Sequence, residues 1–250
     1  SGYNITLIAE MLLWLGLFFG LWRKQAVWAA LVGIAFFIVM IGMPASASRA
    51  GAMAAVVFVA LQTGRLAQPI NALLFACGAM LFFNPLLLRY DLGFQLSFLA
   101  TLGILWSAPY QERLARFGFL TRHIGEVVLM TIAVELFVLP IILFSFHTFS
   151  PLIIIGNFLV ILVPFAMASA FGAALLFLVV PGAHLVLSWL AWSILSLITR
   201  SVEWLGSIDG ARISVENFGV VHVVVWYSFL VIGVFVLQKF FLSQSYERPV

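Results

Sequence analysis

The stretch DLGFQLSFLAT, residues 91–101, places polar residues at regular intervals inside an apolar segment. Asp91 is positioned to cap a helix, because its carboxylate accepts the first free backbone N–H groups. Gly93 and Ser97 are four residues apart, with a threonine four further on. This spacing predicts a small-residue face that packs closely on a neighbouring helix in lipid. Gln95 points away from that face and needs a partner, since an unpaired amide in hydrocarbon is costly.

Composition extends the membrane prediction to the whole chain. Hydrophobic residues make up 64% of the 250 residues and charged residues 8%, whereas soluble domains carry roughly 25% charged residues. At about 20 residues per crossing, a chain of this length accommodates about eight to ten membrane helices. We therefore expect an all-α integral membrane protein, a polytopic helical bundle of about nine transmembrane helices.

Nine apolar segments fit this expectation. They are Ile5–Leu21, Ala26–Met43, Arg49–Thr63, Leu66–Phe83, Leu92–Ala108, Ile124–Phe146, Leu152–Val180, His184–Leu205 and Val220–Leu242. The seventh is longer than one crossing needs and contains Pro164, so one kinked span and a broken pair both stay open. Residues 109–123 alternate apolar and charged side chains at helical spacing, which predicts an interfacial amphipathic segment. Residues 206–219 are the longest polar stretch and an expected extracytoplasmic loop.

The basic residues indicate an orientation for a single transmembrane domain over residues 1–250. We expect that domain to be truncated at its N-terminus, because Ser1 already lies inside a motif-like segment. With the N-terminus outside and one crossing by the seventh segment, eight basic residues fall on one side and four on the other, which fits the positive-inside rule. The eight are Arg23, Lys24, Arg65, Arg113, Arg116, Arg122, Lys239 and Arg248, and the four are Arg49, Arg89, Arg200 and Arg212.

A series of short motifs runs through the chain. It comprises Pro44, Ser48-Arg49-Ala50, Met53, Gly64-Arg65, Asn84-Pro85, Asp91-x-Gly93-Phe94-Gln95-Leu96-Ser97-Phe98, Phe149-Ser150-Pro151 and Asn157. Together these motifs resemble the membrane domain of the ComEC/Rec2 competence family, and Ser1-Gly2-Tyr3-Asn4 is similar to the tail of that family's first motif. The residues expected to carry the structural motif are Asp91, Gly93, Phe94, Gly64, Arg65, Asn84 and Pro85.

The resemblance implies passage of single-stranded DNA across the bacterial cytoplasmic (inner) membrane during natural transformation. It makes single-stranded DNA a partner alongside the lipid bilayer, while contacts with other competence proteins and homo-oligomerisation stay open. Many family members also carry an oligonucleotide-binding-like domain and a metallo-β-lactamase-like domain. No H-x-H-x-D-H run occurs in this chain, so we expect no enzymatic activity from it.

Few residues are candidates for a DNA path or polar cavity. They are Arg49, Gln95, Ser97, Glu135, Glu10 and Asn157. Gln95 has a stronger claim to a pore than Ser97, because small residues four apart more often serve packing. Asn157 lies early in an interrupted segment, where its amide can bond to backbone freed near a kink.

The charged candidates each allow a structural alternative. Glu135 lies about eleven residues, roughly 16 Å, from either end of its segment, where a carboxylate is costly unless protonated, paired or hydrated. A proton-relaying or path-lining role and an ion pair stay equally open for it, and Glu10 raises the same question. For Arg49 the alternatives are a phosphate contact and an ion pair with Asp91, Glu10 or Glu135. We favour the pair, since buried arginine usually has a carboxylate partner.

Metal and nucleotide chemistry find no support in the sequence. The four histidines lie on separate segments without ligand spacing, which predicts no metal site. No G-x-x-x-x-G-K-[ST] motif occurs, and we expect no cofactor. Two other functions stay open: a secondary transporter for a small solute, with Glu135 and Glu10 as coupling carboxylates, and a structural membrane scaffold.

Overall fold

The computed structural model describes residues 2–62, 68–114, 119–160, 162–179, 184–208 and 213–246. The helices are α1 (Gly2–Phe18), α2 (Arg23–Met40), α3 (Ala45–Gln62), α4 (Pro69–Phe83), α5 (Leu87–Tyr90), α6 (Leu92–Leu114), α7 (Phe119–Phe146), α8 (Ile153–Val160), α9 (Val163–Val179), α10 (His184–Gly206) and α11 (Val220–Tyr246). Two short strands, β1 (Thr148–Phe149) and β2 (Ile213–Ser214), complete the described secondary structure. The chain divides into two compact units, Ser1–Ala108 and Pro109–Val250, and the single transmembrane domain over residues 1–250 stays a prediction.

Five helices in the described ranges are long and apolar enough to cross a membrane. Their qualifying stretches are Arg23–Met40, Leu92–Gln111, Ile124–Phe146, Phe158–Phe177 and His184–Gly206. Shorter apolar helices are Ile5–Phe18, Ala45–Ala60, Pro69–Phe83 and Val220–Val236. A helix therefore forms in each of the nine apolar segments, and the all-α membrane class is confirmed. The count of about nine crossings stays a prediction.

A tight turn sets α3 against α2 in the first unit. Gly42 and Met43 both have positive φ angles, 85° and 55°, and Pro44 follows them. Glycine adopts such a φ without steric cost, and proline cannot extend the preceding helix. The chain therefore reverses here, and Ala47 of α3 is buried in a cluster with Ile34 and Ile38 of α2.

The closest helix contacts of the first unit involve α3. A Cβ added to Gly51 would collide with the terminal methyl of Ile38 and force that side chain to move, so glycine favours the close approach of α3 to α2. Ile5 and Ala9 of α1 join the same buried cluster. The alanine- and glycine-rich α3 is thus packed closely against both α1 and α2.

Helix α6 packs through phenylalanine rather than through its small residues. Phe94 and Phe98 are 2% and 7% exposed, their ring centroids are 4.5 Å apart, and they form a cluster with Leu73 and Ala76 of α4. Gly93 is exposed, and a Cβ there would come within 4 Å of Asp91 alone. Among the described residues, no neighbouring helix comes that close to Gly93, and the contact with α4 is made by the phenylalanines, which bury far more apolar surface than a glycine face can.

The end of α6 also differs from expectation. The sequence placed a helix end at Ala108 and a separate amphipathic segment at residues 109–123. Pro109 instead lies inside α6, which continues to Leu114. A proline removes one backbone hydrogen bond and kinks a helix without necessarily ending it. Residues 115–118 lie outside the described part, Phe119 begins α7, and the interfacial location stays a prediction.

In the second unit, α9 and α10 form an antiparallel helical pair. A Cβ on Gly172 of α9 would lie 3.0 Å from the Leu187 side chain of α10, so glycine permits this approach. The predicted interruption of the seventh apolar segment is confirmed, because α8 ends at Val160 and α9 begins at Val163. Pro164 falls in the first turn of α9, where the missing N–H costs nothing.

A two-stranded ribbon ties the turn after α7 to the loop before α11. Thr148 pairs with Ser214 and Phe149 with Ile213 in antiparallel register. The Val215 N–H donates to the His147 carbonyl at 2.9 Å and extends the pairing by one bond. Part of the expected polar loop, residues 206–219, is thus held against the chain immediately after α7.

Candidate functional site

Asp91 joins α5 to α6 through its backbone and its side chain. Its N–H donates to the Leu87 carbonyl at 3.2 Å, which closes α5. Its carboxylate accepts from the Phe94 N–H at 2.8 Å, which caps the first turn of α6. A Cβ on Gly93 would lie 3.0 Å from that carboxylate, so glycine leaves room for the cap. The predicted N-cap is confirmed, and it gives Gly93 a local role.

Asn84 and Pro85 form a turn after α4. Helix α4 ends at Phe83, and the Asn84 side-chain oxygen accepts from the Leu86 N–H at 3.1 Å. Such a side-chain turn replaces a backbone hydrogen bond and favours a change of direction. It sends the chain into the single turn of α5 and from there to Asp91.

Gln95 obtains the partner that its amide requires. Its Nε2 donates to the Leu88 carbonyl of α5 at 2.8 Å. The bond links the second turn of α6 to the break before it. At 100° per residue, Gln95 and Ser97 lie about 160° apart around α6.

Arg49 of α3 reaches the opposite side of α6 from Gln95. Its guanidinium donates to the Ser97 carbonyl, which also accepts from the Thr101 hydroxyl at 2.9 Å. The guanidinium carbon lies 5.9 Å from the centroid of the Phe98 ring, within the range of a cation–π interaction. The structure thus brings Arg49 together with Ser97 but joins neither to Gln95 by a hydrogen bond.

The Arg49 site leaves polar atoms without partners. Among the described residues, neither Arg49 Nε nor Ser97 Oγ has a hydrogen-bond partner, and both atoms are buried. Within the same residues, Arg49 forms no salt bridge with Asp91, Glu10 or Glu135, and its side-chain bond goes to a backbone carbonyl. The favoured ion pair is therefore absent from this part of the chain. A guanidinium with a free N–H beside a free hydroxyl can bind an anion.

Glu135 lies on α7 of the second unit. Its Oε2 is buried and, within the described residues, has no hydrogen-bond partner. The ion pair considered for it is likewise not formed by the part of the chain that the structure describes. Glu10 is exposed on α1. Asn157 lies on α8, but its side chain, together with Gly64 and Arg65, falls outside the described residues.

Two hydrogen bonds next to Glu135 were not expected from the sequence. The Trp226 indole N–H of α11 donates to the Leu136 carbonyl at 3.0 Å, and the Tyr227 hydroxyl donates to the Phe137 carbonyl at 2.8 Å. Pro140 lies inside α7 and has no N–H for the Leu136 carbonyl, four residues earlier. Pro140 was the feature of the sequence that could have predicted these bonds, since a freed carbonyl in lipid needs a donor from elsewhere.

No group of three or more potential metal-ligating side chains occurs among the described residues. The polar groups that the structure brings together are therefore organic: a guanidinium, hydroxyls, an amide and backbone carbonyls.

The family model for competence proteins matches residues 1–240. The chain belongs to the competence protein family. It is 24% identical to ComE operon protein 3 of Bacillus subtilis (strain 168) over 250 residues, which cover 98% of this chain. The match covers 31% of the relative, so the chain spans about a third of the length of that protein. No solved structure matches it.

Proposed function

We propose that this chain forms the membrane domain through which single-stranded DNA crosses the bacterial inner membrane during natural transformation. Membership of the competence protein family supports the cargo. The apolar helices support a route within a bilayer. We assign no catalytic step to the chain, and its role is to provide a hydrated passage.

The observation that carries the proposal is the Arg49 site. A phosphodiester chain cannot enter hydrocarbon, so it needs polar contacts along its route. Arg49 is a cation with no carboxylate partner among the described residues, and its Nε and the Ser97 hydroxyl are both free there. A guanidinium in this state is suited to a phosphate oxygen, because the charge is not already neutralised.

The surroundings of Arg49 favour a brief contact over tight binding. Phe98 lies beside the guanidinium at 5.9 Å, and the Ser97 carbonyl holds one of its N–H groups. A single cation with one or two hydrogen-bond donors offers weak attraction to each phosphate in turn. Passage requires contacts strong enough to admit the strand and weak enough to release it.

The test compares charge-keeping and charge-removing variants in a competent host that carries the full-length protein. Arg49→Lys should retain part of DNA uptake, whereas Arg49→Gln should lower it by roughly one to two orders of magnitude, as expected from a lost charge-assisted hydrogen bond. Arg89→Gln is the control, because Arg89 is also an arginine beside an aromatic ring, 5.5 Å from Tyr90, but is exposed. Normal uptake by Arg49→Gln at normal membrane abundance would contradict the proposal.

Gln95 provides a second test on the other side of α6. Its amide donates to Leu88 across the α5–α6 break, and non-helical backbone in a membrane protein often borders a cavity. Gln95→Leu should reduce uptake while the protein stays in the membrane, because it removes a polar group without adding charge. Uptake and membrane abundance must be measured together. Unchanged uptake would mean that Gln95 serves only to hold α5 against α6.

A secondary transporter remains the rival function, and Glu135 is the observation that favours it. Its buried Oε2 has no partner within the described residues, as expected of a carboxylate that exchanges a proton. In the transporter, Glu135→Gln would abolish proton-coupled solute uptake by proteoliposomes. In the DNA route, the same variant would leave transformation nearly intact.

A further inference from the structure

Helix α10 has two faces of different chemistry. On one face, Ala191 is buried and Leu187 lies against Gly172 of α9. At 100° per residue the opposite face carries a polar set, defined here as the α10 polar face. Its members are Ser193, Ser196, Thr199, Arg200, Glu203 and Ser207.

The α10 polar face extends deep into the expected hydrocarbon region. Fourteen residues separate Ser193 from Ser207, which corresponds to about 21 Å at 1.5 Å per residue. A bilayer core is about 30 Å thick. One end of the face, at Ser207, continues into the polar loop of residues 206–219. The face is thus joined to water at one end and reaches past the middle of the bilayer at the other.

The charged members of the face carry the argument. Arg200 and Glu203 are both exposed, and neither forms an ion pair with any residue in the described ranges. At the centre of a membrane helix, a charge facing lipid costs about 2.5 to 3.5 kcal/mol on insertion scales, and this cost falls toward the helix end. Arg200 and Glu203 lie six and three residues before Gly206, the last residue of α10. The serines are less informative, because Ser193 and Ser196 donate to backbone carbonyls of their own helix at 2.8 and 3.0 Å.

The exposed face of α2 differs in composition from the α10 polar face. The exposed face of α2 includes Trp28, Val32, Phe36 and Val39, which are all apolar. This composition is expected where side chains meet acyl chains. The contrast indicates that the α10 polar face has an environment other than lipid.

The shape of α10 favours water over a second packed helix. Close helix packing in membranes needs small residues, so that the two backbones can approach. Trp192 lies within the angular range of the α10 polar face, between Thr199 and Glu203, and Trp204 lies beside it. They are 57% and 67% exposed. These large rings hold another backbone away and leave room for water beside the two charges.

We infer that the α10 polar face borders a water-filled space open on the side of the membrane that carries residues 206–219. The inference adds a lining helix to the proposed DNA route. It rests on the proposed function only for the identity of the cargo. A hydrated phosphodiester strand needs a lining of hydroxyls and separated charges, and α10 supplies this lining from Ser207 inward to Ser193.

The experiment uses single cysteines in an otherwise cysteine-free, full-length protein in native membranes. Ser196→Cys reports on the α10 polar face. Leu195→Cys and Leu197→Cys are matched controls at nearly the same depth, because these leucines are 49% and 51% exposed but lie 100° to either side. A membrane-impermeant charged thiosulfonate is added to one side at a time. Reaction requires the thiolate, which forms only where water reaches the sulfur.

Ser196→Cys should react at least about tenfold faster than either control, and only from the side of residues 206–219, since an apolar environment suppresses the thiolate. Equal rates at all three positions, or an oxidative cross-link between two copies through residue 196, would overturn the inference. DNA uptake after modification is scored in parallel. If Ser196→Cys reacts quickly but its modification does not change DNA uptake, the water-filled space is supported, whereas DNA as its cargo is contradicted.

Discussion

Two regions of the protein hold buried polar groups in opposite ways. In the second unit, Pro140 frees the Leu136 carbonyl of α7. Trp226 of α11 donates to this carbonyl, and Tyr227 donates to the neighbouring Phe137 carbonyl. In the first unit, Arg49 is bound on one side by a carbonyl, while its Nε and the Ser97 hydroxyl stay open within the described residues. The α7–α11 contact is complete in itself and needs no ligand. The α3–α6 contact is incomplete, which is why we place function there.

The largest effect on DNA uptake is expected when Arg49 is given a carboxylate partner, which completes the α3–α6 contact. Ser97→Asp would supply Arg49 with a carboxylate and neutralise its charge. We expect DNA uptake to fall by roughly one to two orders of magnitude, because a paired guanidinium no longer attracts phosphate. Uptake per unit of membrane-inserted protein is the measurement. Ser97→Asn, similar in shape but neutral, is the control and should retain most uptake. Equal uptake by both variants would show that DNA uptake does not need an unpaired Arg49. The α3–α6 contact would then have no functional difference from the α7–α11 contact.

A smaller effect, on the free energy of unfolding, is expected when the hydrogen-bond donors of the α7–α11 contact are removed. Trp226→Phe and Tyr227→Phe remove the two donors to α7. Each should lower the free energy of unfolding by about 0.6 kcal/mol, the average for side-chain hydrogen bonds between membrane helices, and by at most about 1.7 kcal/mol. Thermal unfolding of the detergent-purified full chain measures it, with Trp189→Phe on the exposed face of α10 as the control. A loss of uptake at full stability would show that this contact is functional as well.

The cap of α6 should contribute about the same or less. Asp91→Ala removes the acceptor of the Phe94 N–H and should cost about 1 kcal/mol of stability. Asp91→Asn keeps a good capping side chain and should stay within a few tenths of a kcal/mol of the parent. Both variants are compared in the same unfolding assay. If the two lost stability equally, the negative charge of Asp91, rather than its capping geometry, would matter.

The smallest effect is expected at Gly93. A Cβ there would lie 3.0 Å from the Asp91 carboxylate and within 4 Å of no other residue. Gly93→Ala should therefore shift the cap slightly, and the better helix propensity of alanine should offset part of the strain. We expect a change below about 0.5 kcal/mol. A loss above that, with Asp91→Ala showing none, would mean that another helix approaches Gly93.

Local features of this fold could be predicted from the sequence, because they depend on neighbours in the chain. The Asp91 cap and the Asn84 turn each involve residues two or three positions apart. The nine apolar segments were located for a similar reason, since hydrophobicity over a window decides whether a helix enters lipid. Gly51 and the other small residues of α3 also indicated tight packing correctly.

Long-range choices could not be predicted in the same way. The phenylalanines of α6 and its small residues both recur every four positions, and periodicity alone does not say which face is buried. Arg49 had three carboxylates as sequence candidates, yet its partner is a backbone carbonyl 48 residues away. The donors to α7 come from residues 90 positions later. Such pairings depend on how helices are arranged, which no local pattern encodes.

The ribbon of β1 and β2 bears on how often the chain crosses the membrane. Lipid-exposed strand edges do not occur in hydrocarbon, so we expect both strands to lie in water, and on the same side because they are hydrogen-bonded. With that placement, the chain between Phe149 and Ile213 crosses an even number of times. One crossing by α10 then leaves an odd number for α8 and α9 together. We therefore predict that these two helices make one broken passage rather than a returning pair, which is the arrangement under which the basic residues divide eight to four.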